Sequence, residues 1–167
     1  MRHSNEPPVL HPTRLDLPPE IRTHLITLLN TTLACTVDLR SHVKQAGWNV
    51  KGTDLLQLHA LFVTMATELE AYTDLVAERI GVLGGVARGT ARTAATLSGL
   101  PEYPGDLVDG NAHVLALADR FAFYAAALRT SIVHAADVED TGCAAIYTDI
   151  SRGIEKRLGL LEAHLHR

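Results

Sequence analysis

Lysine and cysteine are scarce in this chain of 167 residues, and each scarcity excludes something. Lys44, Lys51 and Lys156 are its only lysines, and the formal net charge is −4. A nucleic-acid-binding tail needs several cations to displace counterions from phosphate. The N-terminal stretch offers just Arg2 and Arg14 as full positive charges, with His3 and His11 adding charge only in acid. Binding of nucleic acid through that arm is therefore disfavoured. Cys35 and Cys143 fit no zinc or redox spacing. Cys35 falls instead on an apolar helical stripe with Ile21, Leu25, Leu28 and Leu39, as a core thiol does. No apolar run approaches the roughly 18 residues of a membrane helix, and MRHSNEPPVLHP lacks the apolar centre of a signal peptide. The expectation is a soluble, cytoplasmic protein. Internal repeats, low-complexity segments and sustained strand-like alternation are absent as well.

What is present is helical periodicity. With 47% apolar residues, the chain is long enough to bury the core of one domain without staples. Residues 1–15, polar and proline-bearing, read as a flexible arm, and residues 16–167 as the folded domain. Asp16 is a candidate N-cap ahead of Pro18, Pro19 and Glu20, opening a helix that runs to about Ala46. Gly47, Trp48 and the NVKG turn to Gly52 follow, and Thr53 or Asp54 caps a second helix that Gly84 and Gly85 stop. A short helix is expected over Thr90 to Ser98, before LPEYPGD breaks the chain. A third long helix carries Val114, Leu117, Phe121, Tyr124 and Leu128, and a fourth carries Ile146, Ile150, Ile154, Leu158, Leu161 and Leu165. Four long amphipathic helices with short first and third joints and one long crossover describe an all-α, ferritin-like four-helix bundle with a short helix in the crossover.

The second helix carries the chemistry. Leu58, Phe62, Met65, Leu69, Tyr72, Val76 and Leu83 form its apolar face, and His59, Val63, Glu70, Asp74 and Glu78 lie on a stripe beside it. Such a stripe is either laced with ion pairs or built to hold a metal. His59 and Asp74 are separated by about 22 Å along one helix axis, too far to share an ion within one chain. If two copies cross antiparallel about a two-fold axis near Ala66 and Thr67, His59 of one comes level with Asp74 and Glu78 of the other. Any such site is intersubunit and occurs twice per dimer. Asp74 and Glu78, four residues apart, can address one ion together.

KQAGWNVKG, LHALF, DLVAERIGVLGG, ARGTARTAATLSGLPEYP and ISRGIEKRLGLLEAHL, in this order, resemble the Dps family of bacterial mini-ferritins from about Leu25 to the C-terminus. The resemblance implies twelve copies forming a hollow dodecameric shell that oxidises Fe(II), often with hydrogen peroxide, and stores the ferric product; some members also coat DNA. Of the family's five usual ligands, His59, Asp74 and Glu78 are matched. Gly47 stands where a histidine precedes the tryptophan, and Val63 where an aspartate follows the second histidine. The three that remain suit iron, with water completing the sphere, and are also compatible with zinc. Glu70, one turn before Asp74, and His42 on the first helix are candidates to replace what is missing. Trp48 matches the family's tryptophan near the oxidation centre. Met65, near the two-fold axis, reads as core rather than as a haem ligand. Asp137, Glu139 and Asp140 match the acidic residues that surround the family's three-fold pores, where they would attract cations; the same joint also reads as an exposed loop in which Asp140 or Thr141 caps the last helix.

The function expected is Dps-like iron binding, ferroxidase oxidation by peroxide or oxygen, and storage that protects against peroxide stress. Three alternatives remain open: a non-catalytic cage with a decayed oxidation centre, a zinc-loaded cage and a DNA-associated shell.

Overall fold

Residues 9–166 are described by the structure, a computed structural model. Apolar residues recurring at steps of three and four become helices α1 (Pro19–Asn49), α2 (Leu55–Val82), α4 (Gly110–Asp137) and α5 (Thr141–Leu165), with the short α3 (Ala91–Leu97) in the crossover. α1 packs on α2 and α4 on α5 as two helical hairpins, and α3 lies against α1. No strand occurs among the described residues. An isolated bridge between Lys51 and Asp109 joins the loop after α1 to the start of α4.

Leu25, Leu29, Leu39 and Val43 of α1 share one core with Phe62, Met65 and Leu69 of α2, Phe121 and Leu128 of α4, and Ile150 and Ile154 of α5. Burial of each large apolar side chain contributes about 1.5–3 kcal/mol. Met65 is buried, in agreement with its reading as core, and so is Cys35. Two tyrosines fully inside the bundle have their hydroxyls satisfied: Tyr124 meets Thr36 Oγ1 at 2.5 Å, and Thr32 Oγ1 donates to Tyr147 Oη at 3.2 Å. Burial pushes both phenols above their ordinary pKa.

Helix boundaries depart from expectation in two places. Pro18, not Asp16, occupies the α1 N-cap, and no side chain caps that end. α1 also continues beyond Ala46, through Gly47 and Trp48 to Asn49, with the Val50 N–H closing on the Ala46 carbonyl. A glycine in a helix costs only about 1 kcal/mol relative to alanine, and Ala46 and Val50 on either side of it are buried in the core. Of the other expected caps, Asp140 is found, and Thr90 and Asp109 are caps the sequence reading did not name. Thr90 caps α3 at the Thr93 N–H, Asp109 caps α4 at Ala112, and Asp140 caps α5 at Cys143. Asp54 holds the α2 N-cap position without a side-chain cap bond.

Gly84 adopts φ +82°, ending α2, and a Cβ there would lie 2.5 Å from the His11 carbonyl oxygen. That close approach fastens the entering chain. His11 N–H donates to Gly84 O at 2.7 Å, and Arg22 Nη1 donates to the carbonyls of His11 and Leu83. Residues 9–15 of the expected arm are thus non-helical but held at His11, and residues 1–8 lie outside those described. No described helix is long and apolar enough to cross a membrane.

Candidate metal centre

His59 projects from the exposed side of α2, and its Nδ1 lies 3.0 Å from the Gly47 carbonyl oxygen. A carbonyl only accepts, so Nδ1 is the donor in this contact and Nε2 is the nitrogen left to meet a metal. Orientation of one imidazole nitrogen by a carbonyl is the usual support for a metal-binding histidine. The backbone at position 47 thus holds the one imidazole that remains.

Asp74 and Glu78 are exposed on the same helix, and among the described residues neither has a hydrogen bond or ion pair. Among these residues, too, no three histidine, cysteine, aspartate or glutamate side chains gather into a metal-holding group within one chain. His59 therefore does not meet Asp74 and Glu78 in the monomer, as the length of the helix demands.

The two candidate replacements are otherwise engaged. Arg40 Nη2 approaches Glu70 Oε1 at 3.3 Å. His42 is buried, with Nε2 3.3 Å from Asp38 Oδ1 and its ring 5.3 Å from that of Tyr103. It lines a larger cavity beside the crossover, whereas His59 lines an adjoining cavity of about 110 Å³ with Gly47, Trp48, Val63 and Glu70; Arg40, Lys44 and Trp48 border both. Trp48 and Val63 stand 70% and 52% exposed, leaving an uncovered apolar rim around the imidazole. The sequence reading passed over Arg40 and Lys44, which line the same cavity. Their four-residue spacing on α1 was visible, but not the direction that side of the helix faces.

The acidic joint divides. Asp140 accepts two hydrogen bonds from Arg79 Nη2, at 2.7 and 2.8 Å, besides capping α5. Burial alone would raise the pKa of this carboxyl, but hydrogen bonds from Cys143 and Arg79 more than compensate and hold it below the usual carboxylate range. Asp140 is thereby committed within the chain. Asp137 and Glu139 remain exposed, Glu139 in a left-handed conformation at φ 58°.

Residues 26–167 match the model of the ferritin-like domain. Over 155 residues the chain is 36% identical to the DNA protection during starvation protein of Agrobacterium fabrum, spanning 93% of this chain and 96% of that one. The chain belongs to the Dps family. Its fold agrees closely with two solved Dps structures. DpsC from Streptomyces coelicolor superposes with a TM-score of 0.91 at 25% identity, covering 98% of this chain and 96% of that one. A Dps protein from Vibrio cholerae, described as a member of a broad superfamily of ferritin-like diiron-carboxylate proteins, does so with a TM-score of 0.87 at 25% identity, covering 94% and 98%. For a Dps-family chain, an imidazole and a carboxylate pair on α2 are donors that suit iron.

Proposed function

We propose that this Dps-family protein binds Fe(II) at the seam between two copies, oxidises it with peroxide or oxygen, and stores the product inside a dodecameric shell. The observation that carries this reading is the state of the three side chains. His59 has one nitrogen fixed by the Gly47 carbonyl, while Asp74 and Glu78 are exposed on the same helix and, among the described residues, without side-chain partners. Iron is the substrate here. Asp74 and Glu78 of one copy would bind the ion through oxygen and His59 of the other through nitrogen, with water in the remaining positions. Two Fe(II) ions supply the two electrons that convert one hydrogen peroxide and two protons into two waters. Trp48 shields the site from one side, and Asp137 and Glu139 draw cations toward the shell interior.

Gly47 and Val63 favour a second reading, a shell whose oxidation centre no longer turns over. The two are separated by Fe(II) oxidation with peroxide and, separately, with oxygen, comparing the parent with the His59→Ala, Asp74→Ala, Glu78→Ala triple variant at equal assembly. Faster oxidation by the parent supports the first reading, and equal rates support the inert shell. Zinc that copurifies and blocks oxidation would replace iron as the bound metal.

A further inference from the structure

Away from the α2 stripe, one pair of metal-ligating side chains comes together across two helices. His24 of α1 and His134 of α4 have ring centroids 6.3 Å apart, with the rings tilted by 52°. Both residues are exposed. Neither imidazole has a hydrogen bond or an ion pair among the described residues. The bundle brings them level because α1 and α4 run antiparallel. Thr36 meets Tyr124 between these helices, and one direction leads back from Thr36 to His24 and onward from Tyr124 to His134. The two steps cover about 18 Å and about 15 Å of helix. The pair therefore lies within one chain and needs no second copy to form.

An ion held by two imidazoles through bonds of about 2.0–2.1 Å has each ring centroid about 3.2 Å away, so the two centroids stand roughly 4.5–6.5 Å apart, depending on the angle at the metal. The observed separation falls in that range, and exposed side chains can rotate to adjust the angle. No third histidine, cysteine, aspartate or glutamate joins the pair among the described residues, so water completes the sphere. From this juxtaposition we propose that His24 and His134 form a metal site of their own, one per chain, for an imidazole-seeking divalent ion of the zinc class. Two nitrogen donors favour zinc over Fe(II), and leave magnesium and calcium to oxygen ligands. Glu20 precedes His24 by four residues and Asp137 follows His134 by three, both exposed, so each adds negative charge one turn away. The ion joins α1 to α4, which belong to different hairpins, and a site that exists only when the hairpins are packed stabilises the closed bundle.

The test uses Zn(II) alone as the probe, on the metal-free, assembled His59→Ala, Asp74→Ala, Glu78→Ala triple variant. The α2 ligands then contribute nothing, and the result stands whether or not the iron reading does. Calorimetry counts the sites, and X-ray absorption at the zinc edge counts the imidazoles on each ion. The expected result is about one tight Zn(II) per chain, carrying two imidazoles. His24→Gln and His134→Gln, each placed singly in that background, should weaken this binding on the order of a hundredfold, as loss of one arm of a chelate does. The double variant should be little worse than either. Zn(II) should also raise the Tm of the background protein and leave that of the two variants unchanged, with Mg(II) raising neither. Undiminished affinity in either variant, or losses that simply add in the double variant, overturns the bridge. A single imidazole on the bound zinc overturns it too, and that reading needs no substitution at 24 or 134.

Discussion

At the scale of single residues, the most consequential arrangement outside the metal centre is the packing around Tyr103. Its hydroxyl meets His113 Nδ1 at 2.7 Å, the His42 ring lies against it, and the Arg120 guanidinium stands 5.2 Å from its ring centroid. His42 Nδ1 and Arg120 Nε are buried without partners among the described residues. Burial lowers the pKa of both histidines. For His42, Asp38 and Glu102 oppose this and Arg120 adds to it; for His113, the Leu107 backbone and Asp109 oppose it. Burial also pushes the Tyr103 phenol up to about 12, so it stays protonated. A histidine whose pKa is lower folded than unfolded leaves the unfolded chain holding more protons in the window between the two values. Stability is therefore full above about pH 6.5 and falls as the pH drops toward the folded values. A protonated His113 would present donors at both nitrogens and could no longer accept from Tyr103. Thermal melts at about pH 7.5 and about pH 5 should show a lower Tm in acid. The gap should shrink in His42→Gln, His113→Gln, and a gap of unchanged size would assign the acid sensitivity to other groups.

The helices themselves were largely legible, because one apolar face repeating along α2, α4 and α5 leaves few alternatives. Where α1 ends was not. Gly47 looks like a stop signal locally, but burial of Ala46 and Val50 around it outweighs a propensity term of about 1 kcal/mol. The partners of Glu70 and Asp140 were equally hidden, since Arg40 and Arg79 are distant in sequence and meet them only after the hairpins close. The resemblance to the Dps family implies a five-ligand arrangement, and the geometry at Gly47 bears on whether a side chain can be restored there. A Cβ there would lie 3.7 Å from Phe62 Cβ, an ordinary contact, so the backbone admits a side chain. Gly47→His combined with Val63→Asp is accordingly expected to fold with stability changed by no more than about 1 kcal/mol. Metal occupancy should rise from about one to about two ions per site, with faster Fe(II) oxidation. Elemental analysis of the assembled variant after metal loading checks the count. Occupancy that stays at one would mean that the cations of α1, rather than the missing ligands, limit the site.

At the scale of the whole molecule, the proposed metal site is one that no single chain completes. α2 is a 28-residue helix, and a straight helix cannot bring His59 to Asp74. The exposed Trp48, Leu56 and Val63 leave apolar surface along the same side of the molecule, open for a second copy to cover. If the metal lies across that seam, His59→Ala alone and Asp74→Ala, Glu78→Ala alone each damage both sites of their own symmetric dimer. In a mixed dimer the damage is redistributed. One site combines the alanine at 59 with the alanines at 74 and 78, and the other combines an intact His59 with an intact Asp74 and Glu78. Random reassortment makes half the dimers mixed and restores one of the two sites in each, so about a quarter of all sites should return. The two variants are dissociated, mixed in equal amounts and reassembled, and Co(II) binding is compared with that of each variant treated alone. Recovery near a quarter of parental binding places the site between copies. Recovery of none, with mixed dimers verified by mass spectrometry, would require each chain to bind metal by itself, which the spacing of His59, Asp74 and Glu78 along α2 forbids.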